Sequence, residues 1–505
     1  KGKDKEFPLH RNQWTEWTEW TEWTEQLFSP PFPPFLEMIT RFRHYVRNAC
    51  YFQIPAVLRL CGGTTRWSIP QMKSAMNRRH FLKGSLAAGA ALTVPQIIPA
   101  AAFGQGDTPP PSEQITIGCI GVGRMGRNNL NDFIKLPDCR IVAVCDTYQE
   151  NLALAKDIVD THYQNTDCAT YGDFRDLLAR ADIDAVIIAV QDHWHGIIAT
   201  AAARAGKDIY CEKPLGISIA ESRAILDAVR SHNRVLQTGT WQRSLKPFQH
   251  ACTLARNGYL GTIHTVEVGS PGPDYYVRHT GDLDGHPVPD GFDWNMWRGP
   301  APEVPYNPGR VAWPDWYLIY DYCVGFITNW GVHHLDIANW GCPRIGREPF
   351  EVVCKETFRS EGFTNNSKKW DARFHYADGL TMIFQDDHQG ERGTRFIGDE
   401  GWVRVDRDGI WAGPQSLLKV EFKDTDQRLT DSVNHGANLL ECIRTRKKPV
   451  SDVEEGHIAS CLGMVADIAG RTEARLAWDP KTERFLNNDE ANALLSRELH
   501  NGWTL

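Results

Sequence analysis

At 505 residues the chain is long enough for two or three domains, and its 42% hydrophobic and 23% charged residues exclude a wholly disordered chain. It has no series of apolar runs of the roughly 20 residues that span a bilayer, which excludes a polytopic membrane protein. The 13 cysteines, an odd number without one CxxC pair, exclude zinc-finger and thioredoxin spacing and read as small buried hydrophobes.

Residues 1–75 do not read as a domain. They carry a Trp-Thr-Glu repeat from Trp14 to Glu25 and then a proline cluster at Pro30, Pro31, Pro33 and Pro34. A period of three fits neither helix nor strand. Met76 opens a different pattern, with Arg78-Arg79, then Phe81-Leu82 and Lys83, an Ala/Gly-rich apolar stretch over 84–98, and Ala100-Ala101-Ala102. A basic start, an apolar middle and a small-residue cleavage site, in that order, predict a twin-arginine export signal over 76–102. The natural start is expected near Met76, with 1–75 either a gene-start error or a dispensable, disordered extension, and the exported chain is expected to begin near Phe103. Residues 1–102 hold 13 Lys+Arg against 7 Asp+Glu, so the remainder carries 42 basic and 56 acidic side chains, a net of −14. That charge argues against a nucleic-acid partner.

Residues 115–120 read as a short apolar strand running into Gly121-Val122-Gly123-Arg124-Met125-Gly126, a GxGxxG loop. A helical stretch follows, then a second strand over 140–145 ending in Asp146, 20 residues beyond Gly126. The first glycine permits the tight turn, the second lets backbone approach a pyrophosphate, and the third lets helix and strand pack closely. The helix N-terminus faces the phosphates, and the acid accepts from the ribose hydroxyls. Asp146 would repel a 2′-phosphate, so NAD is favoured over NADP.

Strand and helix keep alternating, with helices over 173–180, 196–205 and 219–231 and strands over 185–190, 208–211 and 235–239. This predicts a doubly wound parallel sheet over 113–242, with ligands at the carboxyl ends of its strands. The residues just past those ends are Asp192, His193 and His195, then Glu212, Lys213 and Pro214, then Gln242 and Arg243. His193 and His195 form an isolated HxH on a loop, too few ligands for a metal site. Tryptophan is dense later on, at 294, 297, 313, 316, 330 and 340. Flat rings with a polar edge suit sugar faces, and Trp297 is the candidate at the substrate.

The segment Cys211-Glu212-Lys213-Pro214-Leu215 is similar to the Glu-Lys-Pro signature of the Gfo/Idh/MocA oxidoreductases, named for glucose–fructose oxidoreductase and inositol dehydrogenase. Residues 293–302 (DWNMWRGPAP), 325–340 (GFITNWGVHHLDIANW) and 396–405 (FIGDEGWVRV) resemble the same family in the same order. The resemblance implies a Rossmann domain followed, over 243–505, by an α+β domain with a large, mostly antiparallel sheet that often packs on another subunit, giving a homo-oligomer. It implies cofactor contacts from Gly121, Gly123, Arg124, Met125, Gly126, Asp146, Asp192, His195, Glu212, Lys213 and Gln242. It also implies a carbohydrate substrate held by Lys213, Arg243, Trp297, His333 and Asp336. Lys213 would stabilise a developing alkoxide and His333 would handle the hydroxyl proton. The family's Asp-x-x-x-His motif places both side chains on one helix face, but this chain has Asn329 at the acid position, with Asp336 a possible substitute.

Three functions follow as expectations. The first is an exported NAD-dependent sugar or polyol oxidoreductase, in the periplasm or cell envelope. The second is a redox-neutral NAD-dependent glycoside hydrolase working through a 3-keto sugar, with a cleft histidine such as His195 as second base. The third is a non-catalytic dinucleotide-binding regulator. Outside the cytoplasm no soluble NADH pool regenerates a released cofactor, so tight retention is expected.

Overall fold

A computed structural model of the chain describes residues 110, 112–273 and 281–505. The repeat, the proline cluster and the twin-arginine pattern lie outside the described residues.

Six strands form a parallel sheet: β1 (Ile115–Ile120), β2 (Cys139–Cys145), β3 (Ala169–Tyr171), β4 (Ala185–Ile188), β5 (Asp208–Cys211) and β6 (Leu236–Thr238), in the order β3-β2-β1-β4-β5-β6. Five helices alternate with them: α1 (Arg124–Phe133), α2 (Gln149–Tyr163), α3 (Phe174–Leu178), α4 (Asp192–Arg204) and α5 (Ile219–Ser231). β4 and β5 are buried along their whole length, as strands covered on both faces must be. The order reverses at β1, where the strand departs to β2 on one side and β4 on the other; such a switch point opens a crevice at the carboxyl edge.

Two boundaries differ from the sequence reading. The edge strand β3 has too few apolar residues to announce itself. Helix α4 starts at Asp192, four residues earlier than the 196 start read from sequence, so Asp192, His193 and His195 occupy its first turns instead of a loop. The preceding Gln191 is extended and makes no side-chain cap, which hides the start, while Asp192 gains from the positive end of the helix.

The second sheet has nine strands: β7 (Ile263–Ser270), β8 (Phe350–Phe358), β9 (Ser367–Tyr376), β10 (Thr381–Asp386), β11 (Gly393–Gly398), β12 (Gly401–Asp406), β13 (Gly409–Gly413), β14 (Leu476–Asp479) and β15 (Arg484–Phe485). Their order is β13-β12-β11-β7-β10-β9-β8-β14-β15. Only the β7–β10 pairing is parallel. Burial alternates along β9 and β10, as it does when one face of a sheet is covered. Helices Lys246–Arg256, Gly331–Gly341 and Val453–Arg471 cover that face, burying Phe248, Leu335 and Val465 with Phe374, Phe384 and Phe396.

The last part of the chain returns to the first sheet. Helix His435–Thr445 adds Leu439, Leu440 and Ile443 to the core that holds Ile117, Leu130 and Ile141, and Val453 joins the core on the other face. The carboxyl edge of the parallel sheet is thereby set against the segment 326–341. All 11 described cysteines are buried and none is in a disulfide.

Candidate functional site

The glycine loop is shaped by two different demands. A Cβ at Gly126 would meet the carbonyl oxygen of Gly121 at 1.9 Å, and one at Gly121, whose φ is +79°, would meet the Ala189 carbonyl at 2.5 Å. Packing alone requires those two glycines. A Cβ at Gly123 would meet nothing nearer than Asn151 Nδ2 at 4.0 Å. The open space above Gly123, at the head of α1, fits a pyrophosphate approaching backbone.

Asp146 lies just past β2. Its Oδ2 accepts from the Val122 amide at 2.8 Å, and its Oδ1 from the Tyr148 amide at 3.0 Å and Asn151 Nδ2 at 3.3 Å. Burial raises its pKa, and those donors with the nearby Arg127 pull it back. Each oxygen keeps lone-pair capacity for ribose hydroxyls. Arg124 and Met125 are exposed, and the Arg124 guanidinium stacks on Trp313, 4.2 Å from the ring centre. Trp313, itself 40% exposed, reaches the glycine loop from the second half of the chain.

At the far end of the same edge, Lys213 follows β5. Its ammonium donates to the Asn329 carbonyl at 3.1 Å and to Asn329 Oδ1 at 2.9 Å. The amide nitrogen of Asn329 donates to both oxygens of Asp192, at 3.1 and 2.9 Å. Burial raises Asp192 to about 6, against the pull of Lys213, Asn329 and the Cys323 thiol. Burial lowers the Lys213 pKa, against Glu212 and Asp192. Glu212 is buried too; its Oε1 accepts from Asn129 Nδ2 at 3.0 Å, and it lies against Gly239, where a Cβ would come within 2.8 Å.

His333 lies beside this cluster. Its Nδ1 is buried and has no hydrogen-bond partner among the described residues. Burial, Arg407 and Lys213 push its pKa well below the ordinary histidine value, so it is neutral. The Trp330 ring meets it edge-on at 5.4 Å. Asn329 and His333 do not share one continuous helix, in contrast to the sequence expectation. Helix Phe326–Asn329 stops at Trp330 and a second helix starts at Gly331, because the 333 amide bonds to the 330 carbonyl at 3.1 Å, a tighter turn.

The remaining sequence candidates are placed as follows. His195 directs Nδ1 at the Pro214 carbonyl, 2.7 Å away, leaving Nε2 unpartnered, and burial lowers it to about 4. His193 turns instead to the Trp297 carbonyl at 3.2 Å, so the two histidines do not converge. Gln242, expected at the cofactor, is fully buried between Arg407, which donates to its Oε1 at 3.2 Å, and His334, 3.4 Å from its Nε2. Arg243 and Asp336, both expected at the substrate, bind each other: two bonds of 2.7 and 2.6 Å join them, with Arg243 also on Glu455 and the Val450 carbonyl. They are 2% and 0% exposed. An acid inside a fully buried helix needs a partner, and Asp336, with no Lys or Arg on the same helix, carries that signal. Trp297 is also not on a cleft surface. It stacks on Trp294 at 5.3 Å and meets Tyr322 edge-on, inside an aromatic core with Trp316.

Arg407, at the turn between β12 and β13, was not legible in the sequence. Its guanidinium lies over both Trp241 and Trp330, at 4.8 and 4.5 Å, and burial lowers it to about 10, so it stays cationic beside His333. No local motif marks such a residue.

Comparison with known proteins agrees with this architecture. The description "Oxidoreductase family, NAD-binding Rossmann fold" matches residues 115–240, and "Oxidoreductase family, C-terminal alpha/beta domain" matches residues 247–505. A twin-arginine translocation signal matches residues 75–95. The oxidoreductase YrbE of Bacillus subtilis is 34% identical over 176 residues, 34% of this chain and 50% of that protein. A glycosyl hydrolase family 109 protein of Shewanella baltica is 32% identical over 168 residues, 30% of this chain and 36% of that protein. The chain thus spans half or less of these relatives. The solved aldose–aldose oxidoreductase of Caulobacter crescentus, complexed with glycerol, superposes with a TM-score of 0.53 at 20% identity, covering 72% of this chain and 99% of that one. With one family match on each of its two sheets, the chain belongs to the Gfo/Idh/MocA oxidoreductase family.

Proposed function

We propose that the protein is an exported, NAD-dependent oxidoreductase acting on a sugar or polyol, working in the periplasm or cell envelope with its cofactor retained. The observation that carries this reading is the Lys213 ammonium, fixed at the carboxyl edge of the parallel sheet beside a neutral His333 with an unpartnered Nδ1. The nicotinamide cofactor supplies the hydride acceptor and donor. Gly123 would leave room for its pyrophosphate in a turn that Gly121 and Gly126 shape, and Asp146 would hold the adenosine ribose and disfavour a 2′-phosphate. Lys213 donates to the substrate oxygen and stabilises its negative charge as the hydroxyl proton leaves. His333, neutral at pH 7, accepts that proton. Arg407 adds positive charge next to it. The exposed face of the nine-stranded sheet is the candidate contact between copies of the chain.

Retention of cofactor follows from location, since a twin-arginine signal exports folded protein to a compartment without an NADH pool. The Trp313–Arg124 stack over the glycine loop supports it. A second reading is favoured by the similarity to the glycosyl hydrolase family 109 protein. Oxidation at C3 would acidify the C2 proton, the aglycone would be eliminated, water would add, and the hydride would return to C3. His333 and His195 are the histidines nearest to serve as bases.

Incubating the purified protein without added NAD, with nitrophenyl glycosides and with sugar pairs, tests both readings. Oxidation of one sugar coupled to reduction of another supports the oxidoreductase. Glycoside cleavage without net NADH supports the hydrolase. Neither reaction, with dinucleotide bound, would turn the conclusion towards a binding protein.

A further inference from the structure

Position 329 lacks the acid that the family motif carries, yet a carboxylate is present across the amide. Asn329 joins Lys213 to Asp192 through opposite ends of one side chain: Oδ1 accepts from the ammonium at 2.9 Å, and Nδ2 donates to the carboxylate at 3.1 and 2.9 Å. This orientation of the amide is the only one in which each donor meets an acceptor; reversed, its carbonyl would face the carboxylate and its NH₂ the ammonium. Asp192 and Asn329 are 2% and 3% exposed, so water does not screen the arrangement. The three residues come from separate elements: the first turn of α4, the end of helix Phe326–Asn329 and the segment after β5.

We propose that Asp192 is the positioning carboxylate of the Lys213 site, acting through Asn329, so that the acid and amide found here are the reversed equivalent of an acid at position 329. Asp192 fixes the Asn329 amide, and the amide oxygen then aims the ammonium. The role of Lys213 in sugar chemistry rests on the function proposed above; the coupling of Asp192 to Lys213 does not. The reversal also has a consequence for single changes. An acid at 329 facing Asp192 would put two carboxylates in contact, and one of them would have to hold a proton.

The ammonium is faced by Glu212, Asp192, Cys323, Arg407, His195 and His333. Burial holds both histidines neutral and the thiol protonated. Glu212 and Arg407 stay the same in every variant below, so differences between variants report position 192 and its amide.

The test compares wild type, Asp192→Asn, Asn329→Asp and the double exchange. The half-buried Lys213 is labelled with acetic anhydride across a pH series and its peptide quantified by mass spectrometry, with no sugar present. Asp192→Asn should lower the Lys213 midpoint by about one pH unit, as expected for losing an opposite charge at this range. The double exchange should return it to within a few tenths of a unit of wild type. If Asp192→Asn does not fold, Asp192→Ser removes the same charge at smaller volume. An unchanged midpoint in the folded single variant, or no recovery in the double exchange, would overturn the proposal. Intact Lys213 shifts with no sugar chemistry in any protein would instead overturn the proposed function and leave this coupling standing.

Discussion

The cofactor end of the cleft is built from one stretch of chain, residues 115–146, and its geometry is mostly backbone. The Lys213 end is built from segments around residues 192, 213, 329, 333 and 407, and its geometry is mostly side chain, with the Asn329 carbonyl as a backbone acceptor. At the first end a glycine is required because a Cβ would strike a carbonyl; at the second, no single residue is required by the fold around it. The first kind of site is specified by local spacing and tolerates little change. The second is specified by who faces whom, so charges can be exchanged between elements, as acid and amide are between Asp192 and Asn329.

The largest expected effect lies beside the Lys213 end, where a buried ion pair ties the segment after β6 to helix Gly331–Gly341. Arg243→Met would leave Asp336 and part of Glu455 without their cation, and should destabilise the protein by about 3–5 kcal/mol in denaturant titration. A change below about 1 kcal/mol would mean that the pair is not structural, and would return Arg243 to the list of substrate residues.

Two neighbouring glycines sharpen the contrast within the cofactor end. Gly126→Val should cost about 1–3 kcal/mol or abolish folding, because its side chain meets backbone. Gly123→Val should lose copurified dinucleotide, because its side chain fills the space left for the ligand, while its thermal midpoint matches that of wild type stripped of dinucleotide. If both variants kept their dinucleotide, the reading of the loop would fail.

At the Lys213 end the expected effect is a pH limb. Asp192 has its pKa raised to about 6 in the folded protein, so it takes up a proton as the pH falls through that value. The protonated acid no longer holds the amide against a charge, and turnover should drop below about pH 6, with a slope of up to tenfold per unit. Asp192→Asn should be slower throughout and lack that limb. His333 and His195 are both neutral far below this range and do not supply it.

The smallest effect concerns cofactor choice. Asp146→Ser should relax the preference for NAD over NADP by roughly tenfold, about 1.4 kcal/mol, in competition binding. Preference for NADP in the wild type would contradict the part given to Asp146.

The same contrast explains what could be read from sequence. The strand, the three glycines and Asp146 lie within one βαβ unit, so their spacing alone locates them. Lys213 was legible because Glu212 and Pro214 flank it. The meaning of Asn329 was not, because its partner Asp192 is 137 residues away and a helix start that follows an uncapped Gln191 gives little warning. The resemblance implies Arg243 and Asp336 as substrate contacts, and only packing shows them closed on each other. Residue type, which marks Trp297, cannot separate an aromatic core from a sugar platform. Arg407 sits on a hairpin turn, where an arginine is ordinary.

The most direct test of the account is to add an oxidisable sugar to the purified protein without NAD and follow nicotinamide absorbance in the wild type and in Lys213→Met. The account predicts that one equivalent of reduced cofactor forms and stays bound in the wild type, and that Lys213→Met keeps its dinucleotide but reduces it at least about 10²–10³-fold more slowly. Equal reduction in the variant, or a wild type that reduces nothing until NAD is supplied and then releases NADH, would contradict it.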